Sequence, residues 1–260
     1  MPEGDTIWRA ARNLHHMLAG KVVQAATATA PGVDAAGLIG RTLVEVTAQG
    51  KNLLMRFDDD RVLHTHMRMN GSWHIYPPTT RWRKPMARAR IVLEVDDAVA
   101  VCFNAPVVAL LRSGHPASVM ALGPDILAET FDLAEALRRF RTAGPRELGD
   151  AVLDQRLVAG IGNVYKSETL FARRANPFAT LETVTDETLG GILTAARGFM
   201  RDNLTGSKRR IRLAGEGGHI WVYRRKGEPC LRCGTPIEMR RQGSGLRSTY
   251  FCPSCQSAPL

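Results

Sequence analysis

Four cysteines near the C-terminus carry the most specific chemistry in this sequence. Cys230-x2-Cys233 and Cys252-x2-Cys255 are separated by eighteen residues, a spacing at which two Cys pairs on facing β-turns close one tetrahedral site. Four thiolates fill the coordination sphere of zinc and leave no position for water, so the expected role of a single Zn2+ is structural. Two redox Cys-x-x-Cys pairs would need a strand-helix-strand setting that is missing here. Between the pairs lie Arg240, Arg241 and Arg247, which a metal-tied hairpin can aim at phosphates. His15-His16 and the alternating His64 and His66 have no carboxylate or cysteine partner at ligand spacing, and read as surface and sheet residues.

The opposite end of the chain offers a nucleophile. If Met1 is removed, as a small second residue permits, Pro2 exposes a secondary amine. An α-amino group titrates near ~8, against ~10.4 for a free lysine, so an appreciable neutral fraction exists at pH 7. Attack on C1′ of a nucleotide would expel the base and leave an iminium, and the adjacent carboxylate of Glu3 can trade protons with the sugar. Alone, the dipeptide reads as an ordinary frayed end. Three further motifs bear on it. Gln49-Gly50-Lys51-Asn52-Leu53-Leu54 places a lysine after a glycine turn between two strands, where it meets a phosphate and the reacting sugar, or is simply a surface lysine. His66-Met67-Arg68-Met69-Asn70-Gly71 puts an apolar side chain and a cation on a tight loop, equipment for wedging into a base stack and filling the hole left by a flipped nucleotide. A buried turn methionine reads the same way. Gly160-Ile161-Gly162-Asn163 opens a helix whose N–H groups, with the Asn163 amide, suit a phosphate. As a dinucleotide fingerprint it is weak, because a helix and not a strand is expected before it.

The elements that must position these groups fall into two halves. Ile7, Ala11, Leu14 and Leu18 predict a first helix with Asp5 and Thr6 as caps and Gly20 as its stop. Short segments rich in Val, Thr, Leu and Ile follow at 21–29, 42–49, 52–57, 61–66, 88–95 and 98–103, the pattern of a β-sandwich or barrel. Ser113 to Asp125 reads as a linker. Helices are then expected around Leu133, Leu137 and Phe140, over 152–158, over 164–174 up to Asn176-Pro177, and through Leu189, Ile192, Leu193, Ala196 and Met200. A Gly- and Arg-rich segment from Gly206 to Gly218, expected to be mobile, leads into the cysteine module. The fold class is therefore α+β and multidomain: a β-sandwich domain over 1–113, a helical domain over 125–215 and a zinc-bearing hairpin over 220–260.

Charge points to a polyanionic partner. The chain has 35 Lys+Arg against 25 Asp+Glu, a formal net charge of +10 over 260 residues. Residues 208–247 hold eleven Lys/Arg against three Glu, and Arg81, Arg83, Lys84, Arg88 and Arg90 form a second run without an acid. Singly, each run is equally a solvated loop. The first residues lack the apolar core of a secretory signal and no stretch approaches membrane-spanning length, so a cytoplasmic or nucleoid-associated monomer is expected. Cys102 reads as buried filler.

In order along the chain, PEGDT (2–6), QGKNLL (49–54), THMRMNGSW (65–73), LDQRLVAGIGNVYKSETLF (153–171) and the cysteine module VYRRKGEPCLRCGTPIE with LRSTYFCPSCQ resemble the formamidopyrimidine-DNA glycosylase and endonuclease VIII family. The resemblance implies a bifunctional glycosylase and AP lyase, with an N-terminal β-sandwich, a helix-two-turn-helix segment and a zinc finger, and DNA crossing between the halves. It implies Pro2 as Schiff-base nucleophile, Glu3 as proton donor in base release, Lys51 as the essential lysine, and Arg247 as the zinc-finger arginine that grips a phosphate and assists δ-elimination. Asn163 is the implied phosphate ligand, Lys166 another DNA contact, and Arg68, Met69 and Asn70 the void-filling residues. Phe103-Asn104-Ala105-Pro106-Val107 lacks the Arg-Arg-Phe wedge of the 8-oxoguanine branch, so the chain resembles endonuclease VIII, which implies oxidised pyrimidines. Oxidised purines, or non-catalytic binding of damaged DNA, are the alternatives. Asp5-Thr6 stands where the family usually has Pro-Glu, so a second carboxylate near the amine is missing or displaced, and base excision is expected to be slower or narrower than lyase action.

Overall fold

Ile7, Ala11, Leu14 and Leu18 are all buried, and they form the inner stripe of α1 (Gly4–Leu18). Gly20, at a φ of +80°, turns the chain out of the helix. The cap differs from expectation. Glu3 is the N-cap, its carbonyl accepting from Thr6 N (2.9 Å) and Ile7 N (3.1 Å), which leaves Asp5 in the first turn, where a negative charge suits the helix dipole. The computed structural model describes residues 2–206, 209–212 and 219–257. Most of the Gly206–Gly218 segment lies outside them.

The chain divides into two units, Met1–Ala121 and Leu122–Leu260. In the first, β1 (Ala25–Ala28), β2 (Leu43–Gln49), β3 (Asn52–Phe57), β4 (Val62–His66), β5 (Ser72–Tyr76), β6 (Ala89–Glu94), β7 (Val99–Phe103) and β8 (Val107–Leu111) form two four-stranded antiparallel sheets. Their orders are β1-β6-β7-β5 and β2-β3-β4-β8. One core joins the inner face of α1 to Leu53, Met55, Phe57 and Leu63 of one sheet and Ile91, Leu93, Ala100 and Cys102 of the other, a sandwich closed by a helix. Burial pushes the Cys102 thiol up to about 12, which keeps it an inert core residue. Beyond the six expected strand segments, β5 and β8 are additional edge strands.

The second unit contains α3 (Leu133–Arg141), α4 (Leu148–Ala151), α5 (Asn163–Ala172), α6 (Asp186–Asp202) and the hairpin of β9 (Glu238–Gln242) and β10 (Arg247–Phe251), while the short α2 (Ala117–Met120) ends the first unit. The helix expected over 152–158 is absent. Asp154 Oδ1 accepts from Arg156 N at 3.0 Å and its carboxylate also holds the Arg146 and Arg156 guanidiniums, so a side-chain turn outcompetes the helical ladder there. From Asn163 to Phe171, α5 is buried at every residue and runs through the core with Phe140, Leu189, Ile192, Leu193 and Met200 packed about it. Its far end meets the cysteine module through Phe171, Val222, Cys230, Ile237 and Cys252.

Candidate active site and zinc centre

Within the first unit, helix α1 runs antiparallel to β2. Gly20 N donates to Leu43 O (2.8 Å), Leu43 N to Lys21 O (3.0 Å) and Val46 N to His15 Nδ1 (3.2 Å), which pins the end of the helix to the start of the strand. Fifteen helical residues at ~1.5 Å each and seven strand residues at ~3.3 Å each cover nearly the same length. Pro2 and Glu3 therefore lie at the level of the Gly50-Lys51 turn. Gln49 and Asn52 pair across that turn, and the left-handed φ of +57° at Gly50 makes it possible. Asn52 Nδ2 donates to Gln49 O (3.2 Å), and its Oδ1 meets His64 Nε2 at 2.9 Å, so neighbouring side chains brace the base of the turn beneath Lys51.

Glu3 is fully buried, whereas Pro2 is half-buried. Asp5 is also buried; Thr6 Oγ1 donates to its Oδ1 at 3.3 Å and Arg9 Nη2 lies 3.8 Å from its Oδ2. The first turn thus carries a second carboxylate at position 5, engaged by its own helix.

The two methionines of the 66–71 loop differ in exposure. Met67 is buried, while Met69 is 55% exposed between exposed Arg68 and Asn70. Arg68 takes a φ of +47°, and its N donates to His66 Nδ1 at 3.1 Å. The His66 imidazole is pushed down to about 4, by burial first and then by the charges of Arg68 and Lys51. It is therefore neutral at pH 7, with Nδ1 as acceptor. Gly71 N closes the loop on Met67 O (2.8 Å), and a Cβ at this position would lie 2.6 Å from that oxygen.

In the second unit, α5 and β10 begin side by side. Asn163 Nδ2 donates to Ser248 O at 2.6 Å, next to exposed Arg247. The Asn163 Nδ2 lies 3.4 Å from Ser248 Oγ as well, and its Oδ1 is buried without a hydrogen-bond partner. Lys166 departs from the expected DNA contact: it is fully buried, its ammonium donating to Thr249 Oγ1 (2.7 Å) and lying 3.3 Å from Ser248 O. Thr249 Oγ1 donates in turn to Gln242 Oε1 (2.8 Å), and Gln242 Nε2 to Glu147 Oε2 (2.8 Å) and Pro177 O (2.7 Å). Lys166 belongs to this internal chain. Arg240 is taken up by Glu238 (2.9 Å) and the faces of Phe178 and Phe251, and Arg241 by Leu246 O (2.9 Å).

One element went unread in the sequence. Fully buried Glu168 accepts from Trp221 N (2.6 Å), Val222 N (2.8 Å) and Tyr223 N (2.7 Å), clamping the segment that enters the cysteine module. Burial pushes its carboxyl up, and the three backbone donors oppose that shift. The sequence neighbours Lys166, Ser167 and Thr169 are themselves polar, so no local signal marked Glu168 as buried.

The four cysteine sulfurs lie within 4.8 Å of one another, with Cys230–Cys255 at 4.0 Å and Cys233 at 3.5 Å from both Cys252 and Cys255. Tetrahedral zinc with ~2.3 Å bonds requires sulfurs ~3.8 Å apart, so the set fits the metal. Arg232 N and Cys255 N each approach a sulfur at 3.4 Å, giving the thiolates backbone donors. Zinc here supplies folding energy and leaves no open coordination position.

Residues 1–107 match the formamidopyrimidine-DNA glycosylase N-terminal domain, 122–214 the formamidopyrimidine-DNA glycosylase H2TH domain, and 227–258 the zinc finger found in FPG and IleRS. The chain is 40% identical to the probable endonuclease 8 2 of Streptomyces coelicolor, over 100% of this chain and 95% of that protein. It is 34% identical to the DNA-(apurinic or apyrimidinic site) lyase Nei2 of Mycolicibacterium smegmatis, over 99% and 100%. Among solved structures, MutM (FPG) of Thermus thermophilus superposes with a TM-score of 0.80 at 28% identity, covering 100% of both chains. The Lactococcus lactis formamidopyrimidine-DNA glycosylase bound to DNA containing an AP site shares the fold, with a TM-score of 0.82 at 21% identity over 99% and 100%. With its β-sandwich, helix-two-turn-helix domain and four-cysteine zinc finger, the chain belongs to the formamidopyrimidine-DNA glycosylase and endonuclease 8 family.

Proposed function

We propose that this protein is a bifunctional DNA glycosylase and AP lyase that flips out and excises oxidised bases, preferentially pyrimidines, and then cuts the strand by β,δ-elimination. The observation that carries this reading is the matched length of α1 and β2, which sets the Pro2 end of the helix level with the Lys51 turn. The Pro2 nitrogen attacks C1′, the base leaves with the glycosidic electron pair and a proton supplied through Glu3, and ring opening yields an iminium. Loss of a C2′ proton then expels the 3′ phosphate, and a second elimination expels the 5′ phosphate. The Lys51 ammonium positions the sugar-phosphate, and Met69, with Arg68 and Asn70, fills the vacated stack. The zinc-tied hairpin presents Arg247 to a phosphate beside the N-terminus of α5, where the helix-start N–H groups and Asn163 contribute.

Similarity to a probable endonuclease 8 and the uncharged Asn104-Ala105-Pro106 turn support pyrimidines over purines. Borohydride reduction on abasic and thymine glycol duplexes should trap a covalent adduct on protein lacking Met1. Absence of that adduct removes the Schiff-base mechanism. Parallel excision assays on thymine glycol and 8-oxoguanine decide the substrate, and faster 8-oxoguanine release overturns the pyrimidine assignment. Glu3→Gln should slow base release by about 10²- to 10⁴-fold.

A further inference from the structure

Asn52 opens β3, and His64 lies in the neighbouring strand β4. In the register of the two strands Asn52 faces His66 and Leu54 faces His64, so Asn52 and His64 are diagonal neighbours on the sheet face opposite Leu53 and Met55, which enter the sandwich core. Both are only 4% exposed. Gln49 O can only accept, so the Asn52 amide turns Nδ2 towards it (3.2 Å) and Oδ1 towards His64 Nε2 (2.9 Å). Nε2 therefore carries a ring proton. Burial pushes the imidazole down and favours its neutral form, with that one proton committed to Asn52. The result is a directed chain, from the His64 N–H to the Asn52 carbonyl and from the Asn52 amide to the backbone oxygen that opens the Gly50-Lys51 turn.

A buried carboxamide and imidazole are a costly way to fill a sheet face. Asn is depleted in strands, and a hydrogen-bonded polar pair in the interior gains little over apolar side chains of similar size. What the pair supplies, and apolar side chains do not, is direction. The turn that it holds has two residues: Gly50, at a φ of +57°, has the widest backbone freedom, and Lys51 carries the long side chain. Play in the backbone at Gly50 is magnified at the Lys51 ammonium. We propose that Asn52 and His64 are positioning residues that act through Lys51, fixing the turn so that its ammonium meets the extrahelical sugar-phosphate in one place. This assignment rests on the DNA-repair reading above and deepens it, adding two residues that act without touching substrate.

The test separates rate from binding in the full chain. Single-turnover cleavage of a duplex containing a natural abasic site reports the chemistry, and affinity for a duplex with a tetrahydrofuran analogue, which cannot form an iminium, reports binding. Because a misplacement of about 1 Å costs about 10²-fold, Asn52→Leu and His64→Leu should slow cleavage by about 10- to 100-fold, with affinity near the wild-type value. His64→Gln, whose amide nitrogen reproduces the Nε2 donor, should restore the rate. The double variant Asn52→Leu/His64→Leu leaves neither partner unpaired, so in urea unfolding it should regain stability lost in the single variants, yet cleave as slowly as they do. A double variant that regains rate along with stability makes the pair structural only and overturns the proposal, as does a His64→Gln variant as slow as His64→Leu. Should either single variant fail to fold, the double variant and His64→Gln decide. Borohydride trapping of the wild-type protein on the abasic duplex is run in parallel: a missing adduct defeats the lyase reading, whereas wild-type cleavage rates in the variants of an adduct-forming protein defeat this pair only.

Discussion

Mild acid should weaken the N-terminal unit through His66. Burial and the neighbouring charges of Arg68, Lys51 and His64 hold its imidazole near 4, against an ordinary value of 6.5. Because the folded state favours the neutral ring, its contribution to stability is complete above pH 6.5 and is lost as the pH falls towards 4. At ~1.4 kcal/mol per pKa unit the full contribution is about 3 kcal/mol, and about 1.4 kcal/mol of it is gone by about pH 5.5. Protonation also converts Nδ1 from an acceptor into a donor facing Arg68 N–H, so the 66–71 turn loses its brace. His66→Asn keeps an acceptor oxygen close to the Nδ1 position and does not titrate. Urea unfolding at about pH 7.5 and about pH 5.5, followed by the fluorescence of Trp8, Trp73 and Trp82, reads this unit, which holds three of the four tryptophans. The wild-type chain should lose about 1.4 kcal/mol more than the variant between those two conditions. Equal losses refute the argument, as does an NMR titration that places the His66 ring at an unshifted value.

Lys166→Met keeps the aliphatic stem but removes the donor to Thr249, so stability should fall by about 1–3 kcal/mol. The salt slope of DNA binding should stay at the wild-type value, and a fall of ~0.9 would mean that the ammonium reaches a phosphate after all. Met69→Ala, at an exposed position, should leave stability within about 0.5 kcal/mol. Excision from duplex DNA should drop about tenfold, with a smaller loss on single-stranded substrate, where no stack needs filling; equal losses on both would argue against a wedge. Chelation, or Cys252→Ser, should unfold the β9–β10 hairpin, detected as proteolysis confined to residues beyond about 225, and abolish DNA binding. Retained affinity after metal removal would disconnect the finger from DNA.

What could be read from sequence was whatever is encoded locally. Cysteine spacing reports a tetrahedral site because both halves of each ligand pair lie within one turn, and the stripe Ile7, Ala11, Leu14, Leu18 reports α1 because helix burial repeats along the chain. The 152–158 segment misled because its apolar residues have helical spacing, while Asp154 holds its own turn with Arg146 and Arg156. The place of Lys166 depends on Thr249, 83 residues later, and nothing near Lys166 in sequence separates an internal ammonium from a DNA-facing one.

The carboxylate of Glu168 joins the middle of α5 to residues 221–223, and Asn163 joins the start of that helix to Ser248. Helix and finger are therefore stapled at the start and the middle of α5, which fixes the first turn of α5 against the strand that begins at Arg247. The distance between the first turn of α5 and Arg247 is set by folding, so under the proposed function a phosphate held there is bound without an ordering cost in this unit.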